Sequence, residues 1–389
     1  MPWVKRFFIL VLLFGALAGG YFFGKASVVC PYCAPTDVDL SILWEAWHKL
    51  EDNYVDPAKL DRQKMVWGAA KGMVESAGDP YTVFFNPDEA KKFLEDVSGE
   101  FEGIGVEIGV KNGQLQVISP IEGTPAAQAG LRAGDKIIKI DGRVTTGITA
   151  EEAVTLIRGA KGTEVTLTIL RDEWESTKDI VIKREVIKAP SLKWEIKDNN
   201  IAYIKLYQFS GSMDSDFQNA GLAILKTNAN KIILDLRNNP GGYLEMAQYV
   251  AGWFLERGET VVIEDFGQKQ EQEVYKAEGN SRFVGYPIVI LVNEGTASAS
   301  EILAAALRDN RGVKLIGKTS YGKGSVQTLE DLADGSSLKV TVADWLTPKG
   351  EHITGKGLTP DIEVEMTEQD YNEGKDPQLD KALEIIKGL

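Results

Sequence analysis

Histidine is nearly missing from this 389-residue chain: His48 and His352 are the only two. A metal centre built on several imidazoles is therefore excluded, and a serine–histidine pair would have to draw on one of these two. His48 falls on the flank of an N-terminal helical pattern, and His352 falls in a glycine-rich turn, Lys349 to Gly355. If a serine acts as nucleophile here, lysine is the better expectation for its base. Cysteine is equally scarce, with Cys30 and Cys33 as the only thiols. Excess positive charge is missing too. The net charge of −14 and pI near 4.9 argue against a nucleic-acid partner, which needs basic patches facing phosphate. No long block of one charge sign occurs.

The N-terminus carries one feature of its own. The 17 residues from Phe7 to Phe23 are nearly all apolar and follow Lys5 and Arg6. That is the short end of a membrane span, oriented with its N-terminus in the cytoplasm. A cleaved signal peptide is the alternative, with Ala16-Leu-Ala18 as an A-x-A cleavage site. The apolar run continues past that site to Phe23, which favours an uncleaved anchor. Either reading puts the remainder outside the cytoplasm. Cys30-Pro-Tyr-Cys33 follows in a linker rather than at the head of a helix in a βαβ unit, so a thioredoxin-like redox centre is disfavoured. A local disulfide or an intermolecular link fits better. Lipid attachment is a third option, against which Val29 is larger than the small residue expected there.

Residues 37–98 have helical spacing, with apolar faces from Val38 to Leu50 and from Lys64 to Glu75, and a proline-started helix at Pro87. From about residue 99 the texture changes to short strands and glycine turns: Gly103 to Ile108, Leu115 to Ile118, a capping box Thr149-Ala-Glu-Glu152, and a strand from Glu164 to Leu170. The run Gly123-Thr-Pro-Ala-Ala-Gln-Ala-Gly-Leu-Arg-Ala-Gly-Asp-Lys-Ile137 resembles a PDZ domain. The resemblance implies that the loop around Ile104, Gly105 and Val106 holds a terminal carboxylate on backbone N–H groups. The bound peptide would add a strand beside Val106 to Ile108.

After residue 186 strands and helices alternate, which argues an α/β core. Lys231 to Leu236 reads as a buried strand running into Arg237-Asn-Asn-Pro-Gly-Gly242, and Ile288 to Val292 as another, followed by a helix around Ile302 to Leu307. The strand-to-helix turn between them holds three hydroxyls, Thr296, Ser298 and Ser300. Free N–H groups at a helix start suit a nucleophile whose product is an oxyanion. Ser298-Ala-Ser-Glu301 equally fits a helix-capping box, and the two readings are compatible.

Taken together, Asp235 to Gly242, Gly295 to Glu301, Gly317 to Gln327, Leu346 to Gly350, Gly355 to Asp361 and Asp79-Pro-Tyr81 resemble the carboxy-terminal processing, or tail-specific, proteases over about residues 37–365. The resemblance implies an α/β protease core with crotonase- or ClpP-like βα layers, an inserted PDZ domain and an N-terminal helical region. The expected divisions are an anchor or signal segment with linker at 1–36, helices at 37–98, PDZ at 99–185 and the core at 186–389. It also implies Ser298 as nucleophile, Lys323 as general base, 25 residues on, and Gln327 as the residue that orients the lysine. The oxyanion hole would come from the N–H groups of Gly241 or Gly242 and of Ala299. Thr296 stands where serine is frequent in the family. An arginine at Arg158 would couple peptide occupancy to the core. No acidic residue lies within four positions of Lys323, so no neighbour in sequence holds it charged, and burial would lower its pKa.

The expected function is a membrane-anchored, extracytoplasmic serine endopeptidase that takes protein or peptide substrates with free apolar C-termini and needs no cofactor. The helical region could mediate homo-oligomers, although amphipathic helices also pack within their own chain. The rivals are a PDZ adaptor or chaperone on an inactive protease scaffold and a redox protein using Cys30 and Cys33.

Overall fold

The computed structural model describes residues 37–389 apart from 112, 122, 172, 173, 199 and 269. The apolar segment from Phe7 to Phe23 and the Cys30/Cys33 pair lie outside the described residues. Among the described residues no helix is long and apolar enough to cross a membrane. The described residues divide into two compact units, 37–69 and 70–389.

The first unit holds α1 (Ser41–Asn53) and the start of α2 (Arg62–Glu75). No residue of α1 is buried, and Ile42 and Trp44 are exposed.

The second unit begins with β1 (Val83–Phe85) and α3 (Pro87–Ser98). Asn86 caps α3 with both halves of a capping box, and Gly99 ends it in the left-handed region. β2 (Glu100–Gly103) leads into the PDZ sheet: β3 (Val106–Lys111), β4 (Gln114–Pro120), α4 (Pro125–Gln128), β5 (Lys136–Ile140), β6 (Arg143–Val144), α5 (Ala150–Ile157), β7 (Glu164–Leu170) and β8 (Lys178–Lys183). The sheet runs β3-β4-β5-β7-β8, so one side of β3 is an open edge. β7 alternates buried and half-exposed residues, as a strand with one face on the core must. The chain returns through β9 (Glu185–Lys188), which pairs with β2. The two connections out of the PDZ domain thus form one antiparallel ribbon.

The core follows with β10 (Leu192–Lys197), β11 (Ile201–Leu206), α6 (Met213–Ile224), β12 (Lys231–Asp235), α7 (Leu244–Phe254), β13 (Thr260–Asp265), β14 (Glu273–Lys276), β15 (Ile288–Val292), α8 (Ala299–Arg311), β16 (Lys314–Gly317), β17 (Ser325–Asp331), β18 (Ser337–Leu346), β19 (Ile362–Glu363), α9 (Glu368–Glu373) and α10 (Pro377–Gly388). The central sheet has the order β10-β11-β12-β15-β16-β19 and is parallel from β11 onward. β15 is buried at every position, which is why its sequence is an unbroken apolar run rather than an alternation. Helices α6, α7 and α8 bury one face of the sheet, with Phe217, Trp253, Phe254 and Leu303 in that layer. Ala382 and Ile386 of α10 cover the other face. Burying each such large side chain stabilises by about 1.5–3 kcal/mol.

A second sheet, β1-β18-β13-β14 with β17 on β18, was not read from the sequence. Its strands are only partly buried and therefore show no clean apolar run. It carries the loop of Lys323 and one wall of the site.

Candidate active site

Three neighbouring parallel strands each end at the same rim. β12 runs into the Asn239-Pro-Gly-Gly242 turn, β15 into the Ser298 turn, and β16 into the loop that holds Lys323. Ligand sites in open parallel sheets form outside the carboxyl ends of the strands for this reason. Residues far apart in sequence therefore line one cleft of about 570 Å³: Gly241, Gly242, Ser298, Ala299, Lys323 and Gln327.

Of the three hydroxyls in the turn, two point into the buried structure. Thr296 Oγ1 donates to Leu236 O at 2.9 Å, and Ser300 Oγ donates to Asn239 O at 3.0 Å; both residues are fully buried. Ser298 is half-exposed and faces the cleft. It adopts φ 56°, in the left-handed region, which costs a non-glycine residue about 1–3 kcal/mol. Its N–H donates to Glu301 Oε2 at 2.9 Å, and its carbonyl accepts from Ile302 N at 3.0 Å. The glutamate thus reaches back as a capping box requires, and it also does more.

Glu301 is completely buried and accepts four hydrogen bonds: from Ser298 N at 2.9 Å, Lys323 N at 2.9 Å, Gly322 N at 2.7 Å and Ser320 Oγ at 2.5 Å. Burial raises its pKa above the ordinary carboxylate value, against the pull of those donors. The sequence shows no acidic residue within four positions of Lys323, but the fold brings one from further away. Glu301, distant in sequence, binds the backbone of Lys323 and its charge favours the protonated amine. No local spacing rule could have found it. The net shift of Lys323 is nevertheless downward, because burial outweighs Glu301 and Lys339 adds a like charge. Among the described residues no carboxylate forms an ion pair with the Lys323 amine, which lies 5.5 Å from the ring centre of Tyr81. The Asp79-Pro-Tyr81 motif therefore borders the site: Asp79 accepts from Tyr81 N at 3.0 Å and Thr82 Oγ1 at 2.6 Å, fixing the turn. Lys339, which the sequence did not single out, also lines the cleft, over the rings of Phe93 and Phe85.

Asn239 is buried and joins the two turns. Its side chain donates to Leu206 O at 3.0 Å and accepts from Gly241 N at 3.0 Å, and its carbonyl accepts from Ala297 N at 3.0 Å. The Gly241 N–H is therefore engaged. Among the described residues no hydrogen bond engages the N–H groups of Gly242 and Ala299. Gly241 is needed for close approach: at φ 100°, an added Cβ would lie 2.8 Å from Ser298 Cβ. Gln327 lines the cleft, but its amide donates to Ser325 Oγ at 2.7 Å, and among the described residues no hydrogen bond joins it to Lys323. A register shift between Val326 and Gln327 in the β17–β18 pairing sets its direction.

Neither histidine is a rival base. His48 Nδ1 lies 2.6 Å from Trp44 O in its own helix, and His352 is an exposed residue bridged to Leu346.

In the PDZ domain Ile104, Gly105, Val106 and Arg158 border a small cleft of about 80 Å³ between β3 and α5. The carbonyls there are tied inward: Gly105 O accepts from Thr124 Oγ1 and Ile121 N, both at 2.9 Å, and Ile104 O accepts from Ala126 N at 2.8 Å. Arg158 packs over Phe101 at 4.5 Å and pairs with Asp96 of α3 at 2.9 Å. Asp96 itself lines the Ser298 cleft.

Peptidase family S41 matches residues 200–364, and the PDZ domain matches residues 92–170. The chain is 40% identical over 379 residues to the carboxy-terminal processing protease CtpA of Bacillus subtilis (strain 168), covering 96% of this chain and 79% of that one. It is 41% identical over 307 residues to a CtpA-like serine protease of Staphylococcus aureus (strain COL), covering 79% of this chain and 61% of that protein. Among solved structures, a photosystem II D1 C-terminal processing protease aligns with a TM-score of 0.51 at 28% identity, covering 84% of this chain and 92% of that one. These likenesses define a serine peptidase with a PDZ domain set into its fold, acting on proteins or peptides. The chain belongs to the carboxy-terminal processing proteases of peptidase family S41.

Proposed function

We propose that this protease cleaves by a serine–lysine acyl-enzyme mechanism on substrates captured by their free apolar C-termini. The observation that carries the reading is the cleft shared by Ser298, the one hydroxyl residue of its turn that lines it, and Lys323, a half-buried amine with which no carboxylate pairs among the described residues. The uncharged Lys323 amine takes the Ser298 Oγ proton as Oγ attacks the scissile carbonyl. The oxyanion is received by the N–H groups of Gly242 and Ala299. The lysine ammonium then protonates the leaving amine, and water, deprotonated by the same amine, releases the acyl group. Oxyanion donors of this kind are typically worth ~3–4 kcal/mol in the transition state. Gln327 supports the lysine loop through Ser325.

The open edge of β3 would accept the substrate tail as an added strand, with its carboxylate at the Ile104–Val106 loop. Arg158 would report occupancy to α3 through Asp96. The Phe7–Phe23 segment would anchor the enzyme with its catalytic part outside the cytoplasm, and the exposed apolar face of α1 supports a homo-oligomer. Ser298→Ala and Lys323→Ala are each expected to abolish cleavage of an unstructured protein ending in apolar residues while binding of its tail persists. Amidating that C-terminus should weaken capture. Undiminished proteolysis by either variant overturns the mechanism.

A further inference from the structure

The Ser298 cleft contains a buried acidic side chain that the acyl-enzyme chemistry does not use. Glu264 on β13 is only 6% exposed and still lines the cleft. Its Oε2 accepts from Tyr275 Oη at 2.9 Å. Among the described residues no donor lies on Oε1 and no cation pairs with the carboxylate. Burial raises its pKa and the like charge of Glu273 adds to this, with the Tyr275 bond compensating only in part. Aromatic and apolar side chains line the cleft beside it, with Glu245 also on its wall. Tyr275 and Trp345 meet edge to face at 6.0 Å, and Leu244 and Val326 complete the wall. Trp345 pairs in register with Glu264 and donates its N–H to Gly324 O at 2.5 Å. One strand therefore separates Glu264 from the residue that follows Lys323.

We propose that Glu264 makes this part of the cleft a specificity pocket for a lysine side chain next to the scissile bond, its aliphatic stem against Tyr275 and Trp345 and its ammonium on Oε1. The inference rests on Ser298 being the nucleophile. Lysine is favoured over arginine because only one oxygen is open. A guanidinium gains most from two, whereas a compact ammonium needs one. An apolar side chain in the same place would leave the carboxylate unpaired, and sites with buried polar groups discriminate strongly against such analogues. An acidic side chain would be repelled.

The test uses the full chain and a peptide series with one common free apolar C-terminus, varying a single residue beside the cut among lysine, norleucine, arginine and glutamate. The lysine peptide is expected to show kcat/KM roughly tenfold to a hundredfold above the norleucine peptide, as a hydrogen bond to a charged group supplies. In Glu264→Gln the ratio should fall to about one. In Glu264→Asp, which withdraws the carboxylate by one methylene, it should fall part of the way. Both peptides are compared on one sample, so incomplete folding of a variant cancels from the ratio. Equal cleavage of lysine and norleucine by the parent enzyme, or a preference that survives Glu264→Gln, overturns the pocket and leaves the Ser298 mechanism standing. Cleavage of none of the peptides overturns both.

Discussion

Lys323 can serve Ser298 only as an uncharged amine, and burial, Lys339 and Glu301 together decide its charge. Burial and Lys339 push its pKa below the ordinary 10.5, and Glu301 pulls the other way. Activity should then rise with pH along a limb centred below that value, because deprotonation creates the base. Lys339→Met removes a like charge, so the Lys323 pKa moves back up. The limb should shift to higher pH, with kcat/KM falling near neutrality and recovering in alkali; an unmoved limb would show that Lys339 does not tune the base. Gly241 tests the oxyanion side. A methyl group there meets Ser298 Cβ at 2.8 Å and Ala299 N at 3.0 Å. Gly241→Ala should therefore lower kcat about a hundredfold or more, the scale of a lost oxyanion donor, with tail binding retained.

At the scale of elements, the site depends on two carboxylates that tie strand ends together. Glu301 links the start of α8 to the 320–323 loop. In Glu301→Gln one end of the side chain becomes a donor, which faces either the N–H groups of Ser298 and Lys323 or that of Gly322; Ser320 Oγ can turn to accept, but a backbone N–H cannot. Each orphaned donor costs about 1–3 kcal/mol, so thermal unfolding should move down and kcat should fall more than KM rises. Arg237, next to the Pro240-Gly-Gly242 turn, is held in the same way. It pairs with Asp235 at 2.7 Å and receives both oxygens of Asp376, at 2.7 and 2.8 Å, just ahead of α10. Its donors keep the Asp376 carboxyl below the usual range although burial opposes this. Asp376→Ala leaves Arg237 half-neutralised in a buried place. A loss of about 3–5 kcal/mol is expected by denaturant unfolding, as for other broken buried pairs.

For the whole molecule, the proposed function requires that a tail bound on β3 be passed to Ser298 in another domain. The described contact is the Arg158–Asp96 pair, which joins the PDZ cleft to α3, and α3 borders the Ser298 cleft. Arg158→Ala should leave tail affinity, measured by calorimetry, nearly unchanged while abolishing the advantage in turnover of a free over an amidated C-terminus. If that advantage persists, this pair does not carry the coupling.

Much of this was legible in the chain itself. The apolar run of β15, the glycine turns and the helix starts at Pro87 and Thr149 follow from short-range rules, whereas the pairing of Ser298 with Lys323 was implied only by the family resemblance. Periodicity, capping and backbone freedom act over a few residues, and family motifs preserve them. What the tertiary structure alone decided lies between residues remote in sequence. The parallel order β12-β15-β16 brought three turns to one rim, gave Glu301 its grip on the Lys323 backbone and engaged the Gly241 N–H, while the second sheet turned Gln327 toward Ser325 and set Glu264 in the cleft. A hydrogen bond between loops depends on which strands are neighbours. No local pattern encodes that neighbourhood, because it is settled by which apolar faces can be buried together.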